Sequence, residues 1–180
     1  GVLALIEFFS MIKKITNNKK FIFIFNLTFV IYMFIFCFLF SLLSNYINSR
    51  IIVFILLAGC IASDIGGYLF GKFFQGPKLT KISPNKTISG TIGSFILSIV
   101  PLILILNYDY LNLEFNLYNI IFCLFVSLVS QLGDLFISLI KRKAKIKDTG
   151  NLLPGHGGVL DRVDGIIFAV PFSYFLLKLI

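Results

Sequence analysis

Long apolar runs, separated by short loops rich in lysine, constrain the fold of this chain more than any other feature. A helix needs about 20 apolar residues to cross the hydrocarbon core of a bilayer, and several runs reach that length. The chain is 58% hydrophobic, whereas soluble domains are nearer about 45–50%. A soluble chain of this composition would have too little polar surface to cover its core. We therefore predict an all-α, polytopic transmembrane helical protein.

The apolar runs predict five complete spans and one partial span. The partial run, residues 2–12, is too short to cross alone and is interpreted as the end of a truncated helix, so the chain is treated as N-terminally incomplete or reduced. Pro101 predicts a kink in the third complete span. The complete spans are 21–43, 51–74, 88–106, 118–140 and 163–180.

The basic residues predict which side of the membrane each loop faces. Lysines and arginines are concentrated in residues 72–87 and 141–162, whereas residues 107–117 contain none. Because positively charged loops stay in the cytoplasm, the first two loops are predicted to face it together. The net charge of +8 is explained by topology and by contact with anionic lipid or nucleotide. Nucleic-acid binding is not predicted, because no basic polar face is interleaved with aromatic residues.

Three of the eight acidic residues, Asp64, Asp134 and Asp164, fall within or at the edge of predicted spans. A carboxylate at membrane depth is costly and normally faces a cavity or a partner. Asp134 lies on a polar stripe that follows helical spacings of three and four. A hydrogen-bonding seam between helices would explain the serines of this stripe but not the carboxylate, so we predict a functional role for Asp134. The stripe consists of Ser127, Ser130, Gln131, Asp134, Ser138 and Lys141.

Asp64 leaves two alternatives open. It is spaced by four residues from Tyr68, which is spaced by four from Lys72. Asp64 therefore either pairs with Lys72 or takes a direct catalytic or metal-binding role. A neighbouring ridge of small residues predicts close packing against another helix. The ridge consists of Gly59, Ser63, Gly67 and Gly71.

The last loop, residues 138–165, concentrates the polar chemistry. Asp161 and Asp164 are three residues apart and share one face of a starting helix. Together with Asp134 they would form a cluster of oxygen ligands suited to Mg²⁺. Residues 154–158 read Pro-Gly-His-Gly-Gly, a flexible turn whose backbone N–H groups can approach phosphate closely. Taken alone, a histidine between glycines such as His156 is more often a turn residue than a functional one.

This loop resembles the C-terminal signature of the phosphatidate cytidylyltransferases, also called CDP-diglyceride synthetases. The signature reads Ser-x-x-Lys-Arg, four residues, Lys-Asp-x-Gly, then Pro-Gly-His-Gly-Gly, two residues and Asp-Arg-x-Asp. Every fixed position is present between residues 138 and 164, and a match of this length is very specific. The matching positions are Ser138, Lys141, Arg142, Lys147, Asp148, Gly150, Pro154, His156, Gly157, Gly158, Asp161, Arg162 and Asp164.

Two upstream segments also resemble this family. Residues 64–68 are similar to its Asp-x-x-Ala/Gly-Tyr stretch, and residues 83–90 to its Ser-Pro-x-Lys-Thr-x-x-Gly loop. Family members usually carry an acidic residue directly before the last glycine of that loop, where this chain has Ser89. The resemblance covers residues 55–180 and indicates two parts: N-terminal membrane helices, 1–50, and a catalytic transmembrane domain, 51–180, with its signature at 138–164.

The resemblance implies transfer of a cytidylyl group from CTP to phosphatidate in phospholipid biosynthesis, in a polar active-site cavity that faces the cytoplasm. It implies that Mg²⁺ is bound by Asp134, Asp161 and Asp164, and it allows a second cation such as K⁺ to share them. Lysine and arginine side chains of the signature loop would hold the phosphate groups, and Lys86 would be a phosphate ligand of second rank. The predicted catalytic residues are Asp134, Asp161, Asp164, Lys141, Arg142 and His156. The predicted substrate-binding residues are Lys86, Ser83, Lys147, Asp148, Gly157, Gly158, Arg162 and Asp64.

Other functions remain open. A relative that activates an ether lipid or a polyprenol would share most of these residues. A cation-coupled transporter also carries buried aspartates and broken helices, but it would not need the Pro-Gly-His-Gly-Gly turn. The predicted location is a bacterial-type inner membrane, with CTP, phosphatidate and the bilayer as partners, and a homodimer is left open.

Overall fold

The computed structural model describes residues 1–45, 47–80, 83–106, 116–150 and 157–179. Within these ranges the regular structure is helical, apart from one isolated antiparallel bridge between Lys78 and Thr87. The predicted all-α class is confirmed. The helices are α1 (Val2–Ile15), α2 (Lys19–Ser44), α3 (Ile47–Phe74), α4 (Ile88–Ser98), α5 (Val100–Leu106), α6 (Leu117–Lys143) and α7 (Leu160–Leu179).

Four segments of the described residues are long and apolar enough to cross a membrane. They coincide with the first four predicted complete spans, so the polytopic membrane fold is confirmed. The fifth predicted span corresponds to α7, which is helical but lies outside this set of four. The segments are Lys19–Ser44, Arg50–Phe74, Ile88–Ile105 and Leu117–Lys143.

Pro101 divides the third span into two helices. α4 ends at Ser98 and α5 begins at Val100. Proline has no N–H to donate to the carbonyl four residues earlier, here Leu97, and its ring crowds that turn. The break therefore falls just ahead of the proline, and the predicted kink is confirmed.

α3 and α4 pack with their backbones in close contact. A Cβ atom added to Gly66 would overlap the carbonyl oxygen of Gly93 on α4, and one added to Gly93 would overlap the ring of Phe70 on α3. Both helices therefore need glycine at this crossing. Along the predicted ridge, Gly67 faces the side chain of Ser94 and Gly71 faces the side chain of Thr87. The close packing predicted for this ridge is confirmed.

Two apolar clusters hold the remaining helices together. The first is centred on Leu56, Leu102 and Val126 and joins α3, α5 and α6 to α7. The second is centred on Met11 and Ile137 and joins α1 and α2 to α6 and α7. The predicted division into residues 1–50 and 51–180 stays a prediction; its boundary falls in the first turn of α3.

A hydrogen bond from α2 compensates for the proline inside α7. Pro171 cannot donate to the carbonyl of Ile167, four residues earlier. The hydroxyl of Tyr32 donates to that carbonyl oxygen at 3.0 Å. Because no water reaches backbone groups in a bilayer core, each must be satisfied within the protein. α7 can therefore continue through Pro171 without an orphaned carbonyl.

Replacing Tyr32 with Phe is expected to lower the free energy of unfolding by about 1 kcal/mol, since the carbonyl of Ile167 loses its donor while the ring is kept. Reversible unfolding in mixed micelles measures the change. Tyr118→Phe is the matched control, because Tyr118 is 61% exposed at the start of α6. Equal stability of the Tyr32→Phe variant and the wild type would show that the hydrogen bond contributes nothing.

Candidate active site

A polar cavity of about 330 Å³ lies between α3, α4 and α6 and the loop that precedes α4. The cavity brings Asp64 and Lys86 together with Asp134, although these residues are far apart in the sequence. Ser83, which was predicted to bind substrate, also lines this cavity. The other lining residues are Gly67, Tyr68, Asn85, Thr87, Gly90, Thr91, Ser94 and Gln131.

The loop before α4 folds back on itself and presents Lys86 to α6. The amide of Leu79 donates to the carbonyl of Lys86 at 2.8 Å, and the amide of Ile88 donates to the carbonyl of Pro77 at 3.0 Å. Thr87 then caps α4 by accepting a hydrogen bond from the amide of Gly90 at 3.1 Å. These contacts fix the backbone on both sides of Lys86.

Lys86 forms an ion pair with Asp134 on α6. The two side chains are only partly exposed, at 27% and 31%. The second oxygen of Asp134 accepts a hydrogen bond from Ser138, one turn further along α6, at 3.2 Å. Asp134 therefore faces the cavity, as its position on the polar stripe predicted.

Ser127 of the polar stripe takes part in the helix–helix seam that was considered for its serines. The hydroxyls of Ser127 on α6 and Ser63 on α3 are 2.8 Å apart, and Gln131 donates to Ser127 at 3.1 Å. Ser94 on α4 donates to the carbonyl of Ser63 at 2.7 Å. The seam joins the three helices at the cavity, which Ser94 and Gln131 also line.

Ser89, at the position where the family resemblance predicts an acid, takes a local structural role. Its hydroxyl lies 3.0 Å from that of Thr87 and donates to the carbonyl of Gln75 at 3.4 Å. These contacts tie the start of α4 to the end of α3.

Three carboxylates lie within electrostatic reach of one another: Asp64, Asp134 and Asp164. Asp164 is buried in the second turn of α7, where Gly165 donates to it at 2.8 Å. Asp64 lies within reach of Lys86 and Arg162. The Asp64–Lys72 pair, one of the two alternatives for Asp64, is absent from the ion pairs of the described residues, and the Lys72 ammonium instead lies 5.7 Å from the centre of the Tyr68 ring.

Asp161 has its own set of partners. Lys141 donates to Oδ1 at 2.7 Å, and Oδ2 accepts hydrogen bonds from the amides of Thr149 at 2.8 Å and Gly158 at 3.0 Å. Burial alone would raise the pKa of the Asp161 carboxyl, but these hydrogen bonds and the charge of Lys141 outweigh it and hold the pKa below its ordinary value. The Asp161 carboxylate thus connects Lys141, Thr149 and Gly158, which are separated along the signature loop.

The end of α6 directs the chain back toward Asp161. Lys145 adopts a left-handed conformation, with φ of 56°. The amide of Ile146 donates to the carbonyl of Lys141 at 3.0 Å, and the amide of Lys145 donates to the carbonyl of Arg142 at 3.1 Å. This is a Schellman motif, which ends a helix and reverses the chain. It places Thr149 beside Asp161.

Within the ranges that the structure describes, no group of three or more His, Cys, Asp or Glu side chains forms a ready-made metal site. The predicted ligation by Asp134, Asp161 and Asp164 therefore stays a prediction. The carboxylates nevertheless fit a hard cation. Asp134 and Asp164 repel each other electrostatically, so a cation between them would be favourable. Both also offer the oxygen ligands that Mg²⁺ prefers. The ammonium of Lys86 already provides one positive charge at Asp134.

The remaining predicted residues surround these carboxylates or lie in the loop. Arg142, Lys147, Asp148 and Arg162 are exposed, whereas Lys141 is buried against Asp161. Gly157 has a φ of 82°, which requires glycine, and the amide of Gly158 is engaged by Asp161. His156 lies outside the described residues.

Sequence reasoning missed Glu7 on α1. Glu7 is 4% exposed, and its carboxylate accepts a hydrogen bond from Thr149 of the signature loop. A lone acid in an apolar run that is also too short to span a membrane was the available signal, because such an acid requires a buried partner.

Comparison with known proteins identifies the family. A model of the cytidylyltransferase family matches residues 1–180. This chain belongs to the cytidylyltransferase family. The matched region includes the cavity, the Lys86 loop and the signature loop.

Individual relatives agree with the family model. The chain is 43% identical over 119 residues to the phosphatidate cytidylyltransferase of Bacillus subtilis, covering 66% of this chain and 44% of the relative. It is 43% identical over 144 residues to that of Rickettsia bellii, covering 74% of this chain and 60% of the relative. It is 39% identical over 138 residues to that of Synechocystis, covering 73% and 45%. The chain thus spans about half the length of the curated relatives that it matches.

Proposed function

We propose that this protein transfers a cytidylyl group from CTP to phosphatidate, forming CDP-diacylglycerol and pyrophosphate. The observation that carries the proposal is the cavity in which Lys86 meets Asp134, with Asp164 within electrostatic reach of Asp134. The relatives reported above are phosphatidate cytidylyltransferases. A carboxylate–lysine site at a membrane-spanning helix suits a reaction between a water-soluble nucleotide and a lipid.

The reaction needs little proton chemistry from the protein. An oxygen of the phosphatidate phosphate, already anionic, attacks the α-phosphorus of CTP, and the bond to the departing pyrophosphate breaks. Catalysis then depends on positioning and on neutralising charge. Lys86 would move from Asp134 to a phosphate oxygen as substrate enters the cavity. Mg²⁺, held by Asp134, Asp164 and Asp161, would supply further positive charge for the phosphates, with K⁺ as a candidate second cation.

The signature loop would hold the rest of the triphosphate. Arg142, Lys147 and Arg162 are exposed cations around the loop and can contact phosphate oxygens. Lys141 is tied to Asp161 and would act on phosphate from that position. We retain Ser83, Asp148, Gly157, Gly158, His156 and Asp64 as substrate or catalytic contacts.

The test is an assay with the purified protein in lipid, labelled CTP and a defined phosphatidate. Label in CDP-diacylglycerol together with one pyrophosphate per turnover is the expected result. An ether analogue of phosphatidate and a polyprenyl phosphate, each offered alone, test the alternative acceptors. No nucleotide incorporation into any of these lipids would overturn the proposed activity and leave ion-flux measurements to test transport.

The location follows from the same proposal. We propose a bacterial-type inner membrane, with the cavity open to the cytoplasm where CTP is available. The relatives reported above come from bacteria, and the basic residues of the 72–87 and 141–162 loops support this orientation. The homodimer left open by the sequence stays a prediction.

Cysteine labelling from one side of the membrane is expected to show the two basic loops on the same side. Single cysteines at Lys78 and Lys143, both exposed, would react with an impermeant maleimide only from the cytoplasmic side. A cysteine at Asn112, outside the described residues, would react from the other side. Cys37, Cys60 and Cys123 are replaced in the background chain. Equal accessibility of Lys78→Cys and Asn112→Cys from one side would contradict this topology.

A further inference from the structure

Glu7 is a buried acid whose partners are all neutral among the described residues. It lies in the middle of α1 and is 4% exposed. Its carboxylate accepts hydrogen bonds from the hydroxyl of Thr149 at 2.9 Å and from the amides of Val159 at 2.9 Å and Leu160 at 2.8 Å. A buried acid held by three donors is tightly fixed in position.

Two glycines of the signature loop leave the space that Glu7 fills. A Cβ atom added at Gly150 would lie 2.9 Å from Oε1 of Glu7, and one added at Gly158 would lie 2.6 Å from Oε2. Real side-chain contacts are not this short, so any other residue at either position would displace the carboxylate or the loop. The loop is therefore shaped around the acid.

Glu7 is connected to Asp161 through one side chain. The Thr149 hydroxyl lies 2.9 Å from Oε2 of Glu7 and 3.0 Å from Oδ2 of Asp161. The Thr149 amide also donates to Asp161 at 2.8 Å. Thr149 thus stands between the two acids, and moving Glu7 would move the group that orients Asp161.

Glu7 also holds the start of α7. The amides of Val159 and Leu160 are among the first N–H groups of this helix and have no partner within it. A negative charge at a helix N-terminus is favourable because it faces the positive end of the helix dipole. Asp161 lies in this first turn and Asp164 in the second, so fixing the helix start fixes both of them.

We propose that Glu7 is a positioning residue: it anchors the signature loop and the start of α7, so that Asp161 is placed against Lys141 and Asp164 is placed near Asp134. Its effect on turnover rests on the proposed function. Its effect on the loop does not, because the hydrogen bonds exist whatever the reaction.

The first test is Glu7→Gln, which keeps the size of the side chain but directs an NH₂ group toward donors. Hydrogen exchange of the amides in residues 157–162 is expected to accelerate by tenfold or more. Turnover of CTP is expected to fall by about 10²-fold, the scale caused by misplacing a reacting group by about 1 Å. The Mg²⁺ concentration for half-maximal turnover is expected to rise several-fold.

Tyr32→Phe is the control for a purely structural effect. It removes another hydrogen bond to α7 but does not touch the loop, so exchange in residues 157–162 and the Mg²⁺ requirement should match the wild type. If Glu7→Gln does not fold, Thr149→Val removes the connecting hydroxyl and Thr149→Ser restores it. The valine variant should then lose turnover and the serine variant should keep most of it.

The outcomes separate this proposal from the proposed function. If the wild type turns over CTP and both Glu7→Gln and Thr149→Val keep wild-type turnover and Mg²⁺ requirement, Glu7 is not a positioning residue. If the amides of residues 157–162 exchange hydrogen as slowly in Glu7→Gln as in the wild type, Glu7 does not anchor the loop. If the wild type shows no transfer, the proposed function fails, and the exchange measurement alone decides whether Glu7 anchors the loop.

Discussion

Asp134→Asn is expected to leave the protein folded in the membrane while lowering turnover by at least about 10²-fold, the scale for losing one electrostatic group at a transfer centre. Asparagine keeps the size of the side chain and can still accept the hydrogen bond from Ser138. It removes the charge that faces Lys86 and that lies near Asp164. The loss should therefore appear in kcat rather than in the amount of folded protein.

The matched control is Asp109→Asn, which makes the same chemical change. Asp109 lies outside the described residues and is predicted to be on the opposite side of the membrane. The turnover of the Asp109→Asn variant should stay close to that of the wild type. Purified variants are compared in the labelled-CTP assay at saturating substrate, with folding checked by thermal unfolding in detergent. Near-normal turnover of Asp134→Asn would show that this account of the active site is wrong.

The membrane helices were predictable because their signals are local. A run of about 20 apolar residues determines a span by itself. Pro101 breaks the third span through its own ring and missing N–H, so its effect could be read from the chain. Pro171 could not be judged in this way, because the hydroxyl that satisfies the freed carbonyl comes from Tyr32, 135 residues away.

The sequence predicted individual site residues but not their pairings. The family pattern marked Lys141 as a phosphate contact and Asp161 as a metal ligand, yet the two form a buried ion pair with each other. Lys86 and Asp134 likewise pair across the cavity. Opposite charges that would serve anionic and cationic ligands neutralise each other here, since unpaired buried charges are costly. The charges can be read from a sequence, but which of them form ion pairs cannot.

The contacts of Glu7 could not be predicted from the residues near it in the sequence. Its hydrogen-bond partners are 142 to 153 residues away along the chain. Nothing in the neighbouring apolar residues indicates which loop the acid would meet. The glycines at positions 150 and 158 were recognised as part of a pattern, but the reason for them, the space required by this carboxylate, needed the folded structure.

Removing divalent metal is expected to abolish turnover, by at least about 10³-fold, because several kcal/mol of charge stabilisation would be lost. Asp134 and Asp164 lie close enough to repel each other, and Lys86 provides one compensating charge at Asp134. In the proposed reaction Lys86 would turn to a phosphate group, and that compensation would be lost. A divalent cation would then be needed to hold two carboxylates and the anionic substrates together.

The measurement is turnover in excess EDTA, followed by titration with Mg²⁺ or Mn²⁺, either of which should restore it. EDTA saturated beforehand with Mg²⁺ is the control for effects of the chelator itself. Full turnover in excess EDTA would refute the metal assignment. Asp134→Asn provides a second criterion: if Asp134 binds the metal, its residual turnover should need more Mg²⁺ than the wild type, whereas a carboxylate that only pairs with Lys86 would leave the metal requirement unchanged.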